Sequence, residues 1–218
     1  MTRIVFSEPL KKHSGKETIF APSASVRFRR FSKLTPAPHP VKLPIHEAPS
    51  AQMKRHFTQY WKNGWWFSEY AADRAGELLD HTAGNSFHQR GVGRGDAVYV
   101  VTVLKGRLYL LCRLSVARIC SITEAKKILG TDDLWPAREH IIAASATPMR
   151  FDLEVSNEIT KQLLFVSSGA GMPLRFVKHG YLDQQTLRGV RELEPASARL
   201  LDEFLSADTS IFRAIKGN

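Results

Sequence analysis

Histidine has the widest chemical repertoire of the residue types present, and His56, His81, His88, His140 and His179 lie in sequence that reads as folded. Their spacing matches no metal-ligand pattern, among themselves or with Cys112 and Cys120. His81 and His88 lie near Asp80 in sequence, an arrangement that could orient an imidazole, but no candidate nucleophile is marked beside them. Each histidine therefore reads first as a surface or hydrogen-bonded structural residue. No catalytic residue, no metal and no cofactor is expected.

Aromatic chemistry is concentrated instead. The stretch His56–Tyr70, HFTQYWKNGWWFSEY, holds Phe57, Tyr60, Trp61, Trp65, Trp66, Phe67 and Tyr70. Such rings either stack on a flat ligand or pack the end of a sheet, and the sequence leaves both open. FTQYW reads as a first strand, NGWW as a turn or loop, and Ser68 to Asp80 as a loose helix weakened by Gly76.

RGVGRGD, Arg90 to Asp96, has glycines at 91, 93 and 95. A dinucleotide fingerprint follows a strand and opens a helix, whereas this run precedes a strand. No Gly-Lys-Ser/Thr follows it, so it is not a P-loop either. It reads as a turn that delivers the chain into a hairpin.

That hairpin is the element around which the rest is placed. Ala97 to Val103, AVYVVTV, is β-branched and aromatic. Leu108 to Ile119 alternates, with Leu108, Leu110, Cys112, Leu114 and Val116 expected on one buried face and Tyr109, Leu111, Arg113, Ser115 and Ala117 on the other. Lys105-Gly106 lies in the connection. Asn85 to Gln89 reads as a helical turn. Ser121 and Glu124 have capping-box spacing for a helix to Leu129, stopped by Gly130. Trp135-Pro136 falls in a loop, Glu139 to Ala144 reads as a strand, and Ser156 caps a short helix. Pro173 to Val177 reads as a strand, and Asp183 with Arg188 as an ion pair. Pro195 opens a helix with Leu200, Leu201, Phe204 and Leu205 on its apolar side.

The chain has 218 residues, 31 Lys+Arg against 21 Asp+Glu, and a formal net charge of +10. Residues 1–52 carry nine of those basic residues, three acidic ones and seven of the 11 prolines. They read as a disordered, basic, proline-rich extension, and Met53 as a possible alternative start. The domain is expected over 53–218, only mildly basic. Two cysteines make no disulfide framework, which predicts a reducing, cytoplasmic compartment. No apolar run approaches the ~20 residues of a membrane span, so no membrane partner is expected.

Tyr60-Trp61, Asn85-x-Phe87 and Gly91-Val92-x-x-Gly95-Asp96-x-Val98-Tyr99, followed by a second strand, resemble the EVE-type branch of the PUA-like superfamily over residues 57–120. The resemblance implies an α+β fold, a small partly open β-barrel with flanking short helices. It also implies a nucleic-acid partner, DNA or RNA, often read through a modified base flipped into an aromatic-lined pocket. Trp61, Asn85 and Phe87 carry over by motif position. The residue chemistry adds Trp65, Trp66 and Arg90 to the ligand site, and Arg94, Lys105 and Arg107 as phosphate contacts. The competing readings are a protein-interaction or regulatory module that binds a peptide or small molecule, and a nucleic-acid-modifying enzyme on the same scaffold.

Overall fold

The computed structural model describes residues 54–216, with side chains through residue 207, so the expected extension and Met53 lie outside the described residues. The strands are β1 (His56–Tyr60), β2 (His81–Gly84), β3 (Ala97–Leu104), β4 (Arg107–Cys120), β5 (Glu139–Ala146), β6 (Glu154–Val155), β7 (Leu164–Phe165), β8 (Met172–Pro173) and β9 (Val190–Glu192). The helices are α1 (Asn63–Ala71), α2 (Ile122–Leu129), α3 (Asn157–Gln162) and α4 (Pro195–Lys216). Together they make a mixed α+β domain built on a curled half-barrel sheet, with strand order β2-β5-β4-β3-β1-β9 and β6 added beside β4. Among the described strands only β1 and β3 pair in parallel; β7 and β8 form a separate pair.

β3 is buried along almost its whole length because both of its faces are apolar. Ala97, Tyr99, Val101 and Val103 enter the core under α4, with Leu163, Phe165, Leu193, Ala198 and Leu201. Val98 and Val100 enter the concave core, with Phe57, Trp61, Phe87, Leu114 and Ile141. Each fully buried Val or Leu contributes about 1.5–3 kcal/mol, so this one strand anchors both layers. The β3–β4 turn is Lys105-Gly106, with φ of 49° and 73°, the left-handed pair a two-residue hairpin requires.

The single alternation expected for β4 does not hold. Val100 pairs with Cys112 but Val101 pairs with Leu110, so Leu111 is an extra residue. Across this bulge the buried face switches: Leu108 and Leu110 belong to the core under α4, and Cys112, Leu114 and Val116 to the concave core. Cys112 is buried, as the alternation required, but on the opposite side from Leu108.

Local signals set the helices to different degrees. Ser121 and Glu124 form both bonds of the capping box on α2, and Gly130 closes it with φ of 68°. Ser156 caps α3, which ends at Gln162. Leu201 and Leu205 of α4 are buried, with Phe204 packed alongside. NGWW is not a loop: it opens α1, which has no side-chain N-cap and is docked by buried Trp66. Tertiary packing overrides its poor helix signals, and the chain leaves the helix at Asp73, left-handed at φ 56°, rather than continuing to Asp80. Of the strand expected from Pro173 to Val177, Pro173 lies in β8 and Phe176 makes an isolated antiparallel bridge to Leu182, so no continuous strand forms. Asp183 pairs with Arg175 at 3.5 Å, not with Arg188.

Candidate nucleic-acid interface

The glycine turn before β3 is a structural device. Asp96 Oδ2 accepts from the Gly93 amide at 2.8 Å and Oδ1 from the Arg55 amide at 3.0 Å. Gly91 and Gly95 take φ of 73° and 88°, which only glycine adopts without cost. The amide at the centre of the turn is therefore spent on the protein's own carboxylate.

The polar interior lies where β1 approaches β2 across the open side of the curl. Gln59 Nε2 donates to the Ala83 carbonyl at 2.7 Å, Thr82 Oγ1 donates to Gln59 Oε1 at 2.8 Å, and the Trp61 indole N–H donates to Thr82 Oγ1 at 3.2 Å. All three side chains are buried, so the relay leaves none of these groups unpaired. It fixes Trp61, whose ring meets Trp135 edge to face with centroids 4.6 Å apart. Trp65, from the first turn of α1, stacks on Trp135 at 4.8 Å with planes 16° apart. Trp65 and Trp135 are both half-buried and so reach the surface.

His81 lies 6.0 Å from Trp135, ring to ring, and stacks on His140 at 5.1 Å. His140 Nε2 faces the Ala137 carbonyl at 3.3 Å, which can only accept. That nitrogen therefore carries the proton, Nδ1 is an acceptor, and His81 Nε2 donates to it at 2.9 Å. Burial, and then the neighbouring imidazole, lower His81 to about 4. Burial also lowers His140. At neutral pH the pair is uncharged, and at about 4 His81 is a weak proton acceptor.

The sequence-derived residues divide among several places. Trp61 and Trp65 meet at Trp135. Trp66 points to the other side of α1, stacked on Tyr70 at 5.3 Å and edge-on to Phe151 at 5.5 Å. Phe87 is fully buried, so tight under Gly84 that a Cβ there would lie 2.9 Å from its ring. Asn85 is exposed, but its Oδ1 accepts from the Arg138 amide at 2.9 Å, which ties the β2 turn to the start of β5. Arg90 and Arg94 are exposed at the end of β3 where the glycine turn enters. Lys105 is exposed and Arg107 half-buried at the far end, roughly 25 Å away along eight strand residues. Arg107 Nε lies 3.9 Å from Glu154. Arg94 instead shares a groove of about 590 Å³ with Arg118, His88 and Ile119.

The sequence does not mark Trp135, Gln59 or Thr82 as site residues, and it does not mark His81 and His140 as a pair. A tryptophan next to a proline in a loop was the one signal available for Trp135. The histidines read as solitary because His81 and His140 are 59 residues apart. Among the described residues no three His, Cys, Asp or Glu side chains converge as a metal site would need, and no helix is long and apolar enough to cross a membrane.

No protein-family model and no curated protein sequence matches the chain. Among solved structures, a YTH domain of the Zygosaccharomyces rouxii MRB1 protein, in complex with N6-methyladenosine RNA, superposes with a TM-score of 0.36 at 13% identity. The match covers 75% of this chain and 87% of that one.

Proposed function

We propose that this domain binds nucleic acid by stacking one unpaired base on Trp135. The observation that carries the reading is the half-buried indole of Trp135, braced edge-on by Trp61 and flanked by the neutral His81–His140 pair. A rigid aromatic plane that reaches the surface is what a base needs, because every base has a π-face. Exposed Lys62, just before α1, and Arg138, just before β5, supply charge for phosphates.

Trp65 covers the plane. Two parallel rings 4.8 Å apart leave no space for a third between them, so a base takes the place of Trp65 on Trp135. The walls carry no charge at neutral pH, which favours a base bearing an apolar addition, such as a methyl group, over an unmodified one. The reading of a modified base, the EVE-type relationship and a cytoplasmic location all belong to this proposal.

The experiment is a binding panel: full-length protein against single- and double-stranded oligonucleotides, DNA and RNA, with and without methylated bases, at low salt. Tighter binding of single strands, and of a methylated base over its parent, supports the proposal. Absence of binding to every oligonucleotide removes it and favours a peptide or small molecule in the aromatic site.

A further inference from the structure

A second groove, separate from the stacking site, lies between the β3–β4 turn and residues 177–184. Its volume is about 570 Å³, and its lining includes Asn63, Lys105, Gly106, Tyr181 and Gln184. Asn63 is the first residue of α1, the helix that carries Trp65. The Tyr60 hydroxyl stands 3.1 Å from Gln184 Oε1 and 3.4 Å from Asn63 Oδ1, and Thr102 Oγ1 donates to Asn63 Oδ1 at 3.2 Å. Asn63 is thus held between Tyr60 and Thr102.

Tyr181 is 48% exposed, so its ring faces solvent. It is seated on Gly106 so closely that a Cβ at that glycine would come within 2.6 Å of it. Lys105 and His179, at φ of 49° and 65°, are two of the three non-glycine residues with positive φ among those described, and both flank Tyr181. Lys105 lines the groove, and Lys62 and Lys178, each next in sequence to a lining residue, are exposed with it. None of the three makes an ion pair among the described residues, whereas Asp183 is matched by Arg175.

We propose that this groove is a second nucleotide subsite, which holds the neighbour of the base stacked on Trp135. The inference rests on the stacking reading and names its substrate class as single-stranded nucleic acid. A base on Tyr181 and a base on Trp135 lie on separate protein platforms and have left any duplex stack. The Asn63 and Gln184 carboxamides offer donors and acceptors to the base edge or sugar. The lysines neutralise the phosphates on either side.

The test measures full-length protein against nucleoside monophosphates and a labelled single-stranded hexanucleotide at low salt. The hexanucleotide binds more tightly than any monophosphate. Tyr181→Ala weakens the hexanucleotide about 5- to 150-fold, the range for loss of one stacked base. Gly106→Ala does the same by displacing the ring, and Tyr181→Phe binds like the wild type. Trp135→Ala weakens both probes. If Tyr181→Ala and Gly106→Ala keep wild-type hexanucleotide affinity while Trp135→Ala lowers it, the second subsite is wrong and the stacking reading stands. If Trp135→Ala changes neither probe, or the hexanucleotide does not bind, both fall.

Discussion

Trp65 and Trp135 lie face to face, centroids 4.8 Å apart and planes 16° from parallel, at the surface of the half-barrel. Trp135 is held from behind by Trp61. Trp65 comes from the first turn of a nine-residue helix with no side-chain cap. The fixed ring is the platform and the helical ring its cover. Trp65→Ala removes a competitor for the Trp135 face, and an aromatic pair contributes about 0.5–1.5 kcal/mol beyond burial. Oligonucleotide affinity is expected to rise about 2- to 10-fold in this variant. A loss of affinity would mean that the base stacks on the outer face of Trp65 instead.

The Gln59–Thr82–Trp61 relay carries stability as well as position. Thr82→Val keeps the volume but strands the Trp61 N–H and the Gln59 Oε1 in a buried setting. An unsatisfied buried group costs about 1–3 kcal/mol, so the variant is expected to lose about 2–4 kcal/mol in urea unfolding. A loss below about 0.5 kcal/mol would show that water reaches these groups.

The histidine pair makes the fold sensitive to mild acid. The folded-state value of His81 is about 4 against an ordinary 6.5, so the unfolded chain takes up a proton that the folded chain refuses. Stability from the neutral pair is complete above pH 6.5 and is lost as pH falls towards 4. Asp80 opposes the shift and Arg74 adds to it, both weakly beside burial. The thermal midpoint is expected to drop across this window, and less steeply in His81→Gln. Equal slopes in the two proteins would place the sensitivity elsewhere.

Cys112 is fully buried, and burial pushes its thiol up to about 12. A thiol reagent at pH 8 is expected to modify Cys112 only on the timescale of global unfolding. Rapid labelling of Cys112 in the folded protein would contradict the register on either side of the Leu111 bulge.

What the sequence shows and hides follows from the range of the interactions. β3, the Lys105-Gly106 turn, the Ser121–Glu124 capping box and the glycine turn are local, and all were legible. The bulge at Leu111 was not, because Leu111 is as apolar as its neighbours and only pairing with Val100 and Val101 reveals it. NGWW lacks a cap, so its helix depends on burying Trp66, a tertiary event. At the site, the aromatic density of residues 56–70 pointed to Trp61 and Trp65. The groups that complete it, Trp135, His81 and His140, come from β2, β5 and the loop before β5, and no sequence spacing joins them. Phe87 and Asn85 were singled out by motif position. The fold packs the first beneath Gly84 and uses the second to hold Arg138.

The central claim is that Trp135 carries the bound base. A fluorescence-anisotropy titration of full-length wild type and Trp135→Ala against one single-stranded oligonucleotide at low salt tests it, with circular dichroism on both proteins. The expected result is an affinity about 5- to 150-fold lower in the variant with its secondary structure intact, the loss of one base stack. A folded Trp135→Ala protein that binds the oligonucleotide as tightly as the wild type would contradict it.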